Sequence, residues 1–370
     1  MARLCFGPWL WSARLDLAAF AGSAALGLGL VAVGHVAGFG GGALPEWGFV
    51  AFVIAIDVAH VYSTLFRTYL DSEELRRHPL RYSGMPLACW AAGVALYSRD
   101  ALLFWRVLAY VAVFHFVRQQ VGWVALYRAR AEQRGRLDRA LDEAATYLAT
   151  LYPLLVWHAR LGETHFAWFV AGDFLDVGAL VARLVPFARV AWVAALVAFA
   201  ARQVALAVAT RTLHLGKLVV VAATAATWWV GIVGTNSDFD FTVTNVVAHG
   251  VPYCVLLWVY ARARRARAPS LLGSQIAAGG VAAFVGVLFL LAFLEELSWD
   301  RLVWHDHDWL FGSFHDVPFG GTALAFLVPL LAVPQATHYV LDGLLWRRSD
   351  AATRPAQRAA VGGTLLAPHG

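Results

Sequence analysis

Stretches of about 20 predominantly apolar residues, the length an α-helix needs to cross the hydrocarbon core of a bilayer, recur along nearly the whole chain. In lipid every backbone N–H and C=O must find a partner inside the protein, so such stretches are committed to helix. About ten can be drawn: 16–38, 46–70, 82–98, 101–127, 144–160, 190–210, 217–234, 241–260, 274–295 and 321–346. The first is too long for a signal-peptide core and reads as a retained helix. The expected fold is an all-α polytopic membrane bundle over residues 1–348, followed by a disordered cytoplasmic tail over 349–370. The segment 177–189 reads as a separate interfacial helix.

Composition agrees with lipid as the solvent. The 370 residues are 60% hydrophobic and 14% charged, against roughly 45–50% and about 25% in soluble domains. The pI of 9.3 would raise the question of nucleic acid in a soluble protein. Here the basic residues lie between apolar runs and read as topology signals, so no nucleic-acid partner is expected. Three cysteines without a Cys-x-x-Cys pair make neither a disulfide framework nor a cysteine zinc site.

Basic residues collect in cytoplasmic loops. With the N terminus inside, the inner segments receive the Arg76–Arg77–Arg81 group, the arginines between 128 and 139, Lys217, the arginines between 262 and 267, and Arg347, Arg348, Arg354 and Arg358. The outer segments are poor in basic residues and carry acids and tryptophans instead. Both termini are therefore expected in the cytoplasm, and the bacterial inner membrane is the expected location.

Ionisable groups inside a span are costly and mark function. Four segments carry them as stripes at helical spacing. The second has Asp57, His60, Ser63 or Thr64, Arg67 and Asp71. The fourth has His115, Arg118, Gln119 and Gly122; the eighth has Asn245, His249 and Tyr253; the tenth has Gln335, His338 and Asp342. All four segments run from outside to inside. At about 1.5 Å per residue, His60 and His115 fall at similar depth, His249 shallower and His338 deeper. Tilt, or kinks at Pro252, Pro329 and Pro334, would have to close that gap.

Neutral imidazole suits zinc, copper, iron and nickel. His60, His115, His249 and His338 are therefore the candidate metal ligands. Asp57 and Asp342 would orient them or ligate, Gln119 and Tyr253 would contact substrate or oxygen, and Arg118 would balance charge by pairing with Asp57 or Asp342. The run Trp304–Trp309 with His315 and Asp316, which holds His305 and His307, reads first as a solvated outer loop, and Glu295 and Glu296 as boundary residues near an entrance.

This pattern resembles the bacterial β-carotene 15,15'-dioxygenases that form retinal. The parallels are His60, the pair His115–Phe116, His249, and Pro334 with His338 and Asp342. The chain departs from that family in placing Asp57 before the early histidine, Gln119 where an acid is expected and Tyr253 in place of a second histidine. It also has extra residues between Pro334 and His338. The resemblance implies a multi-helix membrane protein holding non-haem iron on histidines and acting on a lipophilic, isoprenoid-like substrate.

The expectation is thus a membrane-embedded, iron-dependent oxygenase or hydroxylase whose small hydrophobic substrate arrives from the lipid bilayer. The same residues leave open another divalent metal, a bis-histidine haem b protein and a proton-coupled transporter.

Overall fold

The computed structural model describes residues 4–313 and 319–346. His315, Asp316 and the tail 349–370 lie outside the described residues. In chain order the long helices are α1 (Ala13–Ala37), α2 (Glu46–Arg67), α3 (Pro79–Arg99), α4 (Ala101–Arg130), α5 (Arg136–Ala159), α6 (Gly178–Thr210), α7 (Leu215–Gly234), α8 (Asp238–Arg265), α9 (Gly280–Trp304), α10 (Gly321–Leu331) and α11 (Val333–Leu345). Among the described residues the one sheet is a parallel pairing of β1 (Cys5–Phe6) with β2 (Thr212–Leu213).

Seven helices (α1, α2, α4, α6, α7, α8 and α9) are long and apolar enough to cross a membrane. The pair α10–α11 makes an eighth if counted as one span. The chain is a membrane-type helical bundle, and α3 and α5 are less apolar than these because polar residues interrupt them. In α5 the interruption is ordered: Asp138, Asp142, Thr146 and Thr150 recur every fourth residue and are all buried, so this helix turns its polar seam inward. Arg202 Nε meets Asp138 at 2.7 Å and Lys217 Nζ meets Asp142 at 2.9 Å. The opposite arrangement holds on α6, which buries little beyond Phe199 and Gln203 and exposes Phe187, Val190, Val197, Val204 and Val208, as a helix facing lipid does.

Helix α8 runs through the middle of the bundle, with both ends of its sequence buried from Phe239 to Ala263. Close approach to its neighbours depends on small residues, the usual device of membrane helix pairs. A Cβ on Gly27 would stand 2.6 Å from the Val243 carbonyl oxygen, and one on Gly250 would stand 2.8 Å from Ile56 Cγ2. These two glycines seat α1 and α2 against the backbone of α8.

Three expectations from periodicity change. The segment 177–189 is not a separate interfacial helix but the start of the continuous 33-residue run of α6. The last apolar stretch is broken at Ala332 with a 40° bend, because Pro334 has no N–H to donate back to the preceding turn. The stripe in α2 does not keep α-helical spacing. Phe49–Val58 is wound as π-helix, Ala59–Ser63 as α-helix and Thr64–Arg67 as 3₁₀-helix, and the span ends before Asp71.

Asp71 instead caps the short helix Ser72–Arg77, accepting from the N–H groups of Glu73 and Glu74. It also holds Arg264 through two hydrogen bonds of 2.6 and 3.1 Å. Burial would raise the Asp71 carboxyl, but the hydrogen bonds and charge of Arg264 outweigh that and keep it below its ordinary value. Arg67, fully buried beside it, lies 3.4 Å from Glu74 and 5.1 Å from the centre of the Tyr260 ring. This group ties the C-terminal ends of α2 and α8 together.

Candidate metal centre

The four stripes meet. His60 from α2, His115 from α4, His249 from α8 and His338 from α11 are each between 1% and 4% exposed, and their rings touch. Centroids lie 4.8 Å apart for His60–His249, 5.0 Å for His60–His338, 5.1 Å for His115–His249 and 4.6 Å for His115–His338. His60, His115 and His338 each offer one nitrogen, and these nitrogens all lie within 4.8 Å of one another. His249 Nε2 lies 3.2 Å from His60 Nε2. The depth mismatch read from the sequence does not keep the rings apart: α11 follows a 40° bend, and Gly250 lets α8 pack closely on Ile56 and His60 of α2.

The surroundings fix the rings from behind. Thr64 Oγ1 lies 2.8 Å from His338 Nδ1 and 3.1 Å from the Tyr253 hydroxyl. Tyr253 donates to Asp342 Oδ1 at 2.8 Å, and Trp346 Nε1 donates to the same oxygen at 2.9 Å. Asp342 Oδ2 then faces His115 Nδ1 at 3.7 Å. Asp57 Oδ1 stands 3.7 Å from His60 Nδ1. Phe116 stacks flat on His249, with centroids 3.5 Å apart, and Gln119 Nε2 donates to the His249 carbonyl at 2.9 Å.

Buried polar atoms are nearly always hydrogen-bonded, yet His115 Nε2, His338 Nε2, His60 Nδ1 and His249 Nδ1 have no hydrogen-bond partner. Each Nε2 in the first pair belongs to a ring whose other nitrogen faces Asp342 or Thr64. A ligating histidine is arranged in this way, with one nitrogen oriented by the protein and the other left for an ion. A metal–nitrogen bond is about 2.0–2.1 Å for zinc, and two such bonds nearly bridge the separation found among the three nitrogens. The donor set therefore fits a transition-metal ion.

The structure brings eight of the nine sequence candidates to one place: the four histidines, Asp57, Gln119, Tyr253 and Asp342. Arg118 is the correction. It is exposed and donates to the Tyr147 hydroxyl on α5, pairing with neither Asp57 nor Asp342. Its backbone is one residue from Gln119, but its long side chain reaches away from the site, as arginine side chains do when they carry charge out of an apolar region. Gln119 and Tyr253 spend their nitrogen and hydroxyl on His249, Thr64 and Asp342, so they hold the cluster in shape.

Sequence reading missed Tyr339, whose ring lies 5.1 Å from that of His115, and Trp346. The second was legible as the residue one helical turn after Asp342.

A cavity of about 390 Å³ lies beside the cluster and is lined by neighbours of the four histidines. Among these are Asp57 and Val58, Phe116 and Tyr339, each within three residues of a histidine. Leu44, Trp168 and His307, from three loops, line it as well. No protein-family model, curated protein or solved structure matches the chain.

Proposed function

We propose that the protein is a membrane-embedded metalloenzyme, iron-dependent and of oxygenase or hydroxylase type, acting on a substrate with a large apolar body. The observation that carries this reading is the convergence of His60, His115 and His338 nitrogens within 4.8 Å beside a cavity large enough for a small organic molecule. An iron ion held there would supply an open coordination position for oxygen. The chain's own residues do the rest. Thr64 and Asp342 orient His338 and His115, and Tyr253 joins these two supports. Phe116 and Tyr339 set aromatic ring surface directly beside His249 and His115.

Three nitrogens within 4.8 Å of one another suit a single ion, whereas a bis-histidine haem needs two imidazoles facing each other across a macrocycle. A proton-coupled carrier would use the same histidines with no stoichiometric metal.

The reading includes the topology. Adding α3 and α5 to the eight candidate spans gives ten crossings with both termini in the cytoplasm, in keeping with the distribution of basic residues, and the bacterial inner membrane as the location. With 21 and 24 residues, at about 1.5 Å each, both helices are long enough to cross.

Elemental analysis of detergent-purified protein tests the central part. We expect about one transition-metal ion per chain, with removal by a strong chelator lowering the thermal midpoint, because a ligand that binds only the folded state stabilises it. Metal-free protein whose midpoint ignores both chelator and added iron would oppose the reading.

A further inference from the structure

The walls of the cavity have an uneven chemistry. Three carboxylates face it, Asp57, Asp238 and Glu296, and no lysine or arginine lines it. Asp238 accepts the Leu44 N–H at 3.0 Å. Asp57 has only the distant His60 Nδ1 at 3.7 Å, with 39% of its side chain exposed, and Glu296 has no hydrogen bond or ion pair among the described residues.

A further acceptor waits there. Asn245 is 3% exposed and lines the cavity, and its Oδ1 has no partner, while its Nδ2 donates to the Phe241 carbonyl and to Thr244 Oγ1. Those two acceptors fix which end of the amide is oxygen. Around these groups stand aromatic rings, among them Phe49, Trp105, Trp299 and Trp304.

Carboxylates that share one cavity without a lysine or arginine repel one another until a cation or a proton joins them. Ring faces attract cations as well. A neutral hydrocarbon would leave the acceptors unmet, and an anion would be repelled. We infer that the cavity binds an organic cation, a protonated amine on an apolar body, with the ammonium between Asp57, Glu296 and the Asn245 oxygen and the apolar part against the aromatic wall.

The inference deepens the proposed function by naming its substrate class, and it rests on that reading only for what happens at the histidines. Binding of the cation belongs to the cavity and can be measured without metal.

The test is calorimetric titration of chelator-treated protein with 2-phenylethylamine at neutral pH and with its neutral isostere 2-phenylethanol. We expect the amine to bind about tenfold tighter or better, the size of a desolvated cation–aromatic contact. The Asp57→Asn, Glu296→Gln double variant should abolish that preference while still binding the alcohol. Equal binding of amine and alcohol by the unaltered protein overturns the inference, as does a preference that survives the double variant. The unaltered protein decides the matter even if the variant fails to fold. A protein that prefers the amine but purifies without metal would sink the enzyme reading and leave this inference standing. A metal-loaded protein blind to the ammonium would do the reverse.

Discussion

Replacement of His60, His115 or His338 by alanine is expected to remove bound metal almost entirely, leaving each variant with about a hundredth or less of the affinity of the parent protein. Even altering a residue that merely orients a ligand lowers affinity roughly 10–100-fold, and these three side chains supply the nitrogens themselves. The three substitutions should behave alike, since no nitrogen lies farther than 4.8 Å from the other two.

His249→Ala distinguishes a three-nitrogen from a four-nitrogen site. Its Nε2 touches His60, but it stands outside the trio that satisfies the mutual distance. A partial loss of metal, smaller than for the other three, is the expected result. Metal content by mass spectrometry of size-exclusion-purified variants, beside circular dichroism to verify helix content, reads both outcomes. Undiminished metal in His60→Ala or His338→Ala would show that the ion, if present, sits elsewhere.

The second large effect lies away from the site. Lys217 is 1% exposed and Asp142 is fully buried. The lysine donates to both carboxylate oxygens at 2.9 and 3.1 Å and to Gln133 Oε1 at 2.7 Å, and Arg128 stands 3.6 Å from the same carboxylate. Asp142→Ala strands a buried ammonium, a change that costs about 3–5 kcal/mol when one partner of a buried pair is removed. A large fall in the thermal midpoint in detergent is expected.

The paired change Lys217→Met, Asp142→Leu should restore most of that loss, because an apolar replacement of both partners removes the desolvation penalty along with the attraction. A midpoint in Asp142→Ala equal to that of the parent would mean the pair contributes nothing to stability. Bound metal should persist in the double variant, since neither residue approaches the histidines.

How much of this was legible in the sequence differs from residue to residue. The four histidines stood out because ionisable groups inside apolar runs are expensive, and helical spacing attached Asp342, Tyr253 and Gln119 to them. Arg118 obeyed the same spacing and was misread: periodicity locates a Cα on a face but says nothing of where a long, flexible side chain carries its charge.

Lys217 was the opposite case. At the start of α7 it looked like a loop charge marking the inner side, and nothing local shows that the polar seam of α5 comes to meet it. That seam was itself readable as Asp138, Asp142, Thr146 and Thr150 at intervals of four, but the apolar run drawn at 144–160 takes in only its second half and leaves Asp138 and Asp142 outside the span.

The breaks were hardest to see. Pro334 marked a kink in α11 without fixing its direction, and the switch from π- to α- to 3₁₀-winding along α2 has no proline or glycine to announce it. Gly250 was visible as a residue, but its purpose appears only when Ile56 and His60 are seen against it.

The central claim is that imidazoles from α2, α4 and α11 share one metal ion. X-ray absorption at the metal edge of the purified, metal-replete protein tests it most directly. The account predicts a first shell dominated by nitrogen at about 2.0–2.2 Å, with the outer-shell scattering of at least three imidazole rings, and loss of one ring's contribution in a conservative His338→Gln variant that retains some metal. A first shell of oxygen or sulfur without imidazole scattering would contradict it.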